Sequence, residues 1–168
     1  SGDIVISTES GNLTLLASGS AGSGIVTSGT GAVTLVVGTT ADEAGEDPAS
    51  SSYKVLNDTK TITVNHVISS TTGAISLLAD GQISNANAGV ISASGAGNIT
   101  LTSQSANISQ SGNVTSNGGL ISFVADTHVL MADGVTTNAN AGSVSYTAGQ
   151  NIQLSTVAAA TAITMTAG

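Results

Sequence analysis

The sequence predicts an all-β fold, a right-handed parallel β-solenoid (a three-sided β-helix) of about seven coils with one inserted loop. Three observations lead there. The 168 residues are 40% hydrophobic but only 7% charged, and they are rich in Ser and Thr and in the β-branched Val and Ile, which with Thr suit pleated strands. No 3.6-residue apolar period persists, so amphipathic helices are not expected. A short strand motif recurs along the chain, the mark of stacked repeat architectures.

The motif reads Gly-x-(Ile/Leu/Val)-(Thr/Ser)-(Leu/aromatic). It starts at Gly11, Gly31, Gly73, Gly97, Gly119 and Gly142, with a degenerate copy at Thr161. Its third position holds Leu13, Val33, Ile75, Ile99, Ile121, Val144 and Ile163, and its fifth holds Leu15, Leu35, Leu77, Leu101, Phe123, Tyr146 and Met165. A hydroxyl residue always separates the two. That alternation puts apolar side chains on one face of a strand and hydroxyls on the other. One unit cannot bury its own apolar face. Each fully buried Ile or Leu contributes roughly 1.5–3 kcal/mol, against ~1–2 kcal/mol per residue for ordering the backbone. Stacking the units makes each column a continuous interior row.

Two shorter apolar stretches fill the rest of each repeat. One is expected at Ile25, Val90-Ile91, Val114 and Val135, the other at Ile83, Ile108, Leu130 and Ile152. Three apolar touches per repeat fit a three-sided coil, with Gly, Asn and Ser at the corners. Parallel crossovers give the expected right-handed sense.

The interval from Gly31 to Gly73 is nearly double. Its middle, about 38–58, contains the only Pro and the acids Asp42, Glu43, Glu46 and Asp47. It reads as a loop inserted at a corner before a strand at Thr61–Val64, with a second, degenerate coil as the alternative. The whole chain, 1–168, reads as one solenoid segment. Asp3–Ser7 fits the closing strand of a preceding coil and Thr161–Gly168 the opening strand of a following one. A piece of a longer solenoid, or a unit that stacks end to end, is therefore expected.

Strands such as Gly97-Asn98-Ile99-Thr100-Leu101-Thr102, and the segment Ala148-Gly149-Gln150-Asn151-Ile152, resemble the β-helix repeats of filamentous-haemagglutinin-like and autotransporter-type bacterial adhesins. The resemblance covers nearly all the chain except the insertion. It implies an extracellular or cell-surface location, a fibrous shape, and adhesive or matrix roles.

Composition excludes some functions. The net charge is −8, and Lys54 and Lys60 are the only cations besides histidine, so phosphate-backbone binding has no basis and nucleic acid is not an expected partner. No run of eighteen apolar residues is present, so no spanning helix is expected. Without cysteine there is no disulfide framework or thiolate metal site. The expected partners are other copies of the chain, end to end or laterally, together with surface glycans or other surface proteins.

Three chemical readings follow from particular residues. The cluster Asp42, Glu43, Glu46 and Asp47 offers oxygen ligands suited to calcium, though at no standard calcium-loop spacing. The motif's sixth position should face outward, yet it includes the apolar Leu16, Val36, Leu78 and Val124. Such a stripe suits an interface. Asp80 and Asp126 share a column with Gln104 between them, which sets the two acids roughly 10 Å apart across two rungs. That approaches the spacing of an inverting glycosidase pair. Yet arginine is absent and aromatics are 2%, which favours a corner role for both. No enzyme is expected. The runner-up to a structural or adhesive scaffold is a carbohydrate-binding or polysaccharide-cleaving β-helix.

Overall fold

The computed structural model describes residues 2–9, 11–16, 24–38 and 59–168. Every regular element among them is a strand. The first coil contains β1 (Ile4–Thr8), β2 (Leu13–Leu15) and β3 (Ile25–Thr27), and the second β4 (Val33–Val37), β5 (Ile62–Val64) and β6 (Ile68–Ser70). The third has β7 (Ile75–Ala79), β8 (Ile83–Asn85) and β9 (Ile91–Ala93). The fourth has β10 (Ile99–Ser103), β11 (Ile108–Gln110) and β12 (Val114–Ser116). The fifth has β13 (Ile121–Ala125), β14 (Val129–Met131) and β15 (Thr136–Asn138). The sixth has β16 (Ser143–Ala148), β17 (Ile152–Gln153) and β18 (Thr156–Ala158), and β19 (Ala162–Ala167) opens a seventh.

The first strand of every coil joins one seven-stranded parallel sheet, and the second and third strands form two six-stranded parallel sheets. The protein is thus a three-sided β-solenoid. Six coils are complete and the seventh is a single strand, slightly fewer than the seven expected.

The rows stack as the strand alternation requires. Val33, Ile75, Ile99, Ile121 and Val144 are successive register partners, as are Leu35, Leu77, Leu101, Phe123 and Tyr146. All are buried in one core. Phe123 and Tyr146 stack with ring centroids 4.9 Å apart, within the favourable range for aromatic pairs. At β19 the same rows are uncovered, with Ile163 44% and Met165 58% exposed.

Three placements differ from the sequence reading. The Gly11 unit is not a first-sheet strand. Leu13 pairs with Ile62 in the second sheet, and β1 pairs with β4, so Asp3–Ser7 belongs to an opening strand and not a closing one. The two positions look alike because both strands alternate apolar and hydroxyl residues. In the second sheet the inward residue is Val129, the partner of Ile108, in place of Leu130. In the third sheet Val114 pairs with Thr137, not Val135. Thr137 is tolerated inside because its hydroxyl donates to Gln110 Oε1 at 3.0 Å.

The corner leading back into the first sheet carries a column of glycines. A methyl group on Gly73, Gly97, Gly119 or Gly142 would run into the carbonyl oxygen of the column's preceding glycine. None of these four has a positive φ. Close backbone approach, not an unusual dihedral, selects glycine here. Small hydroxyls seal this corner from within: Ser116 Oγ donates to Gly97 O and accepts from Gly119 N, each at 2.9 Å.

The long interval contains one coil. β4 pairs directly with β7, and the extra residues fall between β4 and β5, at the corner from the first sheet to the second. Asp42, Glu43, Glu46 and Asp47 lie outside the described residues.

Candidate functional site

No charged residue or histidine occurs in any of the nineteen strands. The described charges, Asp3, Glu9, Lys60, Asp80, Asp126 and Asp133, all sit in corners or connections. Among the described residues, charge is therefore confined to the edges of the prism, and the three sheet faces are neutral.

The richest edge joins the first sheet to the second. One corner residue follows each first-sheet strand, giving the column Gly38, Asp80, Gln104, Asp126 and Gly149. The inter-rung ladder runs on through it: Asp80 N donates to Val37 O at 3.2 Å, Gln104 N to Ala79 O at 3.0 Å and Asp126 N to Ser103 O at 3.1 Å. The stacking of Asp80, Gln104 and Asp126 read from the sequence is therefore present.

The two acids nevertheless occupy different environments. Asp80 is fully buried, whereas Asp126 is exposed. Below Asp80, Gly38 adopts φ 81°, and any side chain on it would press on the Cβ atom of Asp80. The bare backbone of Gly38 thus makes the space that Asp80 fills. The Asp80 carbonyl accepts from Ser105 N at 2.8 Å and Ser105 Oγ at 2.7 Å, which closes the corner above it. A carboxylate pair acting on one bound sugar needs both groups open to it, and this corner offers one.

Beside Asp126 lies an open depression of about 280 Å³, lined by Thr102, Ser103, Gln104, Val124, Ala125 and Asp126. The next residue of the column, Gly149, has no side chain to cover Asp126. The depression combines a carboxylate, an amide and a hydroxyl with the aliphatic surface of Val124.

The outward sixth-position row runs Val36, Leu78, Thr102, Val124, Thr147 and Thr166. Val36 and Leu78 are half-buried neighbours, and Val124 is 37% exposed. Thr102 interrupts the stripe between Leu78 and Val124. Leu16 is not in this row; it follows β2 in the second sheet and is 76% exposed.

The histidines stand apart. His66 Nδ1 accepts from Val67 N at 2.8 Å, and His128 Nδ1 lies 3.3 Å from Asn151 Nδ2. Among the described residues, no three His, Cys, Asp or Glu side chains are grouped to hold a metal, and no helix is long and apolar enough to cross a membrane.

One polar feature was missed. Between the second and third sheets, Asn85 Nδ2 donates to Gly89 O at 3.1 Å and Gly112 O at 2.9 Å, and Gln110 Nε2 donates to Gly112 O at 3.2 Å. With Thr137 these form a buried polar column that ties consecutive coils together at the corner. Its signal was available: Asn85 and Gln110 take the same inward position as Val64 and Met131.

The phenol of Tyr146 is clearly perturbed. Burial pushes its phenol from 10.0 up to about 12, with the neighbouring Thr137 hydroxyl offsetting part of the rise. No hydrogen bond of good geometry reaches its Oη.

Comparison with known proteins finds no matching family model, no matching curated protein and no matching solved structure, so the likeness to adhesin repeats rests on the strand motifs alone.

Proposed function

We propose that this chain is a scaffold segment of a large extracellular or cell-surface bacterial protein, and that it acts as a structural and adhesive β-solenoid. The observation that carries the reading is the confinement of every described charge to the corners of a prism whose faces are neutral. Such a body presents long, flat, uniform surfaces, which suit lateral packing and extension better than the capture of a small substrate. The row Val36, Leu78 and Val124 is the proposed lateral contact. Calcium bound by the carboxylates of Asp42, Glu43, Glu46 and Asp47 is part of the same proposal.

Negative-stain electron microscopy and sedimentation at rising concentration test this reading. Elongated assemblies that grow with concentration, and that shorten or disperse when Leu78→Lys and Val124→Lys are introduced, are the expected result. Compact single particles at all concentrations, unchanged by those substitutions, would overturn it.

A second reading, recognition of a neutral glycan, is favoured by the depression at Asp126. Sugar hydroxyls can donate to a carboxylate and amide while C–H faces lie on Val124. The expected result is that dextran or galactomannan retards the protein in affinity electrophoresis and that Asp126→Ala removes the retardation. Equal mobility with and without these polysaccharides would end that reading.

A further inference from the structure

We propose that Asn117 is a site of spontaneous covalent modification, converting to aspartate and isoaspartate through a cyclic imide with Gly118. Asn117-Gly118 is the only Asn-Gly pair in the sequence. It lies in the exposed corner after β12, and three features of that corner favour the reaction.

The first is access to the nucleophile. The ring closes when the backbone nitrogen of Gly118 bonds to Asn117 Cγ. That nitrogen makes only a long 3.5 Å contact, to Ser116 Oγ. A methyl on Gly118 would meet nothing nearer than Ala96 at 3.7 Å, so no neighbour crowds the approach. The second is activation of the electrophile. Asn140 Nδ2 donates to Asn117 Oδ1 at 3.2 Å, which stabilises the negative charge that develops on that oxygen during attack. Asn140 is held for this role by a positive φ of 44° and by its own N–H donating to Asn138 Oδ1 at 2.8 Å. The third is an exposed leaving group: Asn117 is a surface residue, so ammonia departs into water.

The contrast with other corner asparagines is direct. Asn98 and Asn113 also accept at Oδ1, from the next-rung Leu120 N and Thr136 N at 2.9 Å, so the difference lies at the nucleophile. Each is followed by a β-branched residue, Ile99 or Val114, whose side chain shields the backbone nitrogen. Ile99 N is also engaged with Leu120 O at 2.9 Å.

The step balances without a further reagent. The Gly118 nitrogen gives up its proton and bonds to Asn117 Cγ. The Cγ–Nδ2 bond breaks and Nδ2 leaves as ammonia. Water then adds to either imide carbonyl and opens the ring. The net change is one water consumed, one ammonia released and one negative charge gained.

The whole chain, aged at mildly alkaline pH and body temperature, is followed by isoelectric focusing and peptide mapping, with circular dichroism to verify the fold. The expected result is one new species, more acidic by a single charge, that maps to Asp and isoAsp at position 117. Gly118→Ala, which the open space tolerates, abolishes that species. Asn140→Gly, which keeps the positive φ but removes the donor, slows it. Absence of the species, its mapping to another residue, or its persistence in the folded Gly118→Ala protein would overturn the proposal. An unchanged rate in Asn140→Gly would overturn the role given to Asn140.

Discussion

Two corners of the same prism obey opposite rules. The corner that re-enters the first sheet repeats glycine at Gly31, Gly73, Gly97, Gly119 and Gly142, each against the carbonyl of the column's preceding glycine. The corner that leaves the first sheet reads Gly38, Asp80, Gln104, Asp126 and Gly149 and is different at nearly every rung. In the first, backbone meets backbone, and a Cβ on any of these five rungs would meet the carbonyl below it; the last rung, Thr161, is the one departure from glycine. In the second, Asp80, Gln104 and Asp126 put side chains into the corner, and only Gly149 meets backbone, the Asp126 carbonyl, as closely as the first corner's glycines do. The buried Asp80 and the depression beside Asp126 both sit at this second corner. Tight closure fixes sequence, and loose closure leaves room for variation and chemistry.

The most severe way to break that contrast is Gly97→Val. Its side chain would run into the backbone of Gly73 and Thr72, and the expected loss is more than ~4 kcal/mol, measured by urea unfolding. The interior between the two corners sets the next scale. Tyr146 titrates at about 12 in the fold against 10.0 for a free phenol. Its folded pKa is raised, so the stabilisation is fully present below pH 10 and is lost as pH climbs through about 12. That loss amounts to about 2–3 kcal/mol. Tyr146→Phe should remove this alkaline transition and leave stability at neutral pH unchanged or slightly higher, since the hydroxyl it deletes has no good partner. Denaturant midpoints across that range, with tyrosinate absorbance, check both statements.

Ser116→Ala sharpens the account of the glycine corner without adding bulk. It strips hydrogen bonds from Gly97 O and Gly119 N, and a loss of ~1–3 kcal/mol is expected in the same unfolding assay. The smallest effect belongs to the permissive corner. Asp126→Asn, exposed and beside Gly149, should change stability by no more than ~0.5 kcal/mol.

The same contrast explains what could be read from the sequence. From Gly31 onward the first-sheet rows were legible, because tight closure forces glycine at a fixed place before each strand and the alternation behind it is strict. The first coil was misplaced because Gly11-Asn12-Leu13-Thr14-Leu15 has the same signature, although it opens the second sheet. Alternation reports which face a residue takes, not which side of the prism its strand forms. Leu130 was preferred to Val129 for a related reason: both are apolar, and a three-residue strand is too short for its period to choose. Thr137 escaped notice because an inward hydroxyl is intelligible only with its partner Gln110 in view. At the candidate site the column Asp80–Gln104–Asp126 was legible as a stack. The burial of Asp80 was not, since it depends on the space left by Gly38, a neighbour forty-two positions away.

The account rests on equivalent strands lying side by side in register, and cysteine cross-linking addresses that most directly in a chain with no cysteine of its own. Thr100 and Ser122 are register partners on β10 and β13, so their Cα atoms lie ~4.8 Å apart, inside disulfide range. Thr100 and Val124 sit two residues out of register, ~8 Å apart and beyond it. Under mild oxidation the doubly substituted Thr100→Cys/Ser122→Cys protein should form an intramolecular disulfide, and Thr100→Cys/Val124→Cys should not. Equal yields from the two, or a preference for the second, would contradict the stacked solenoid.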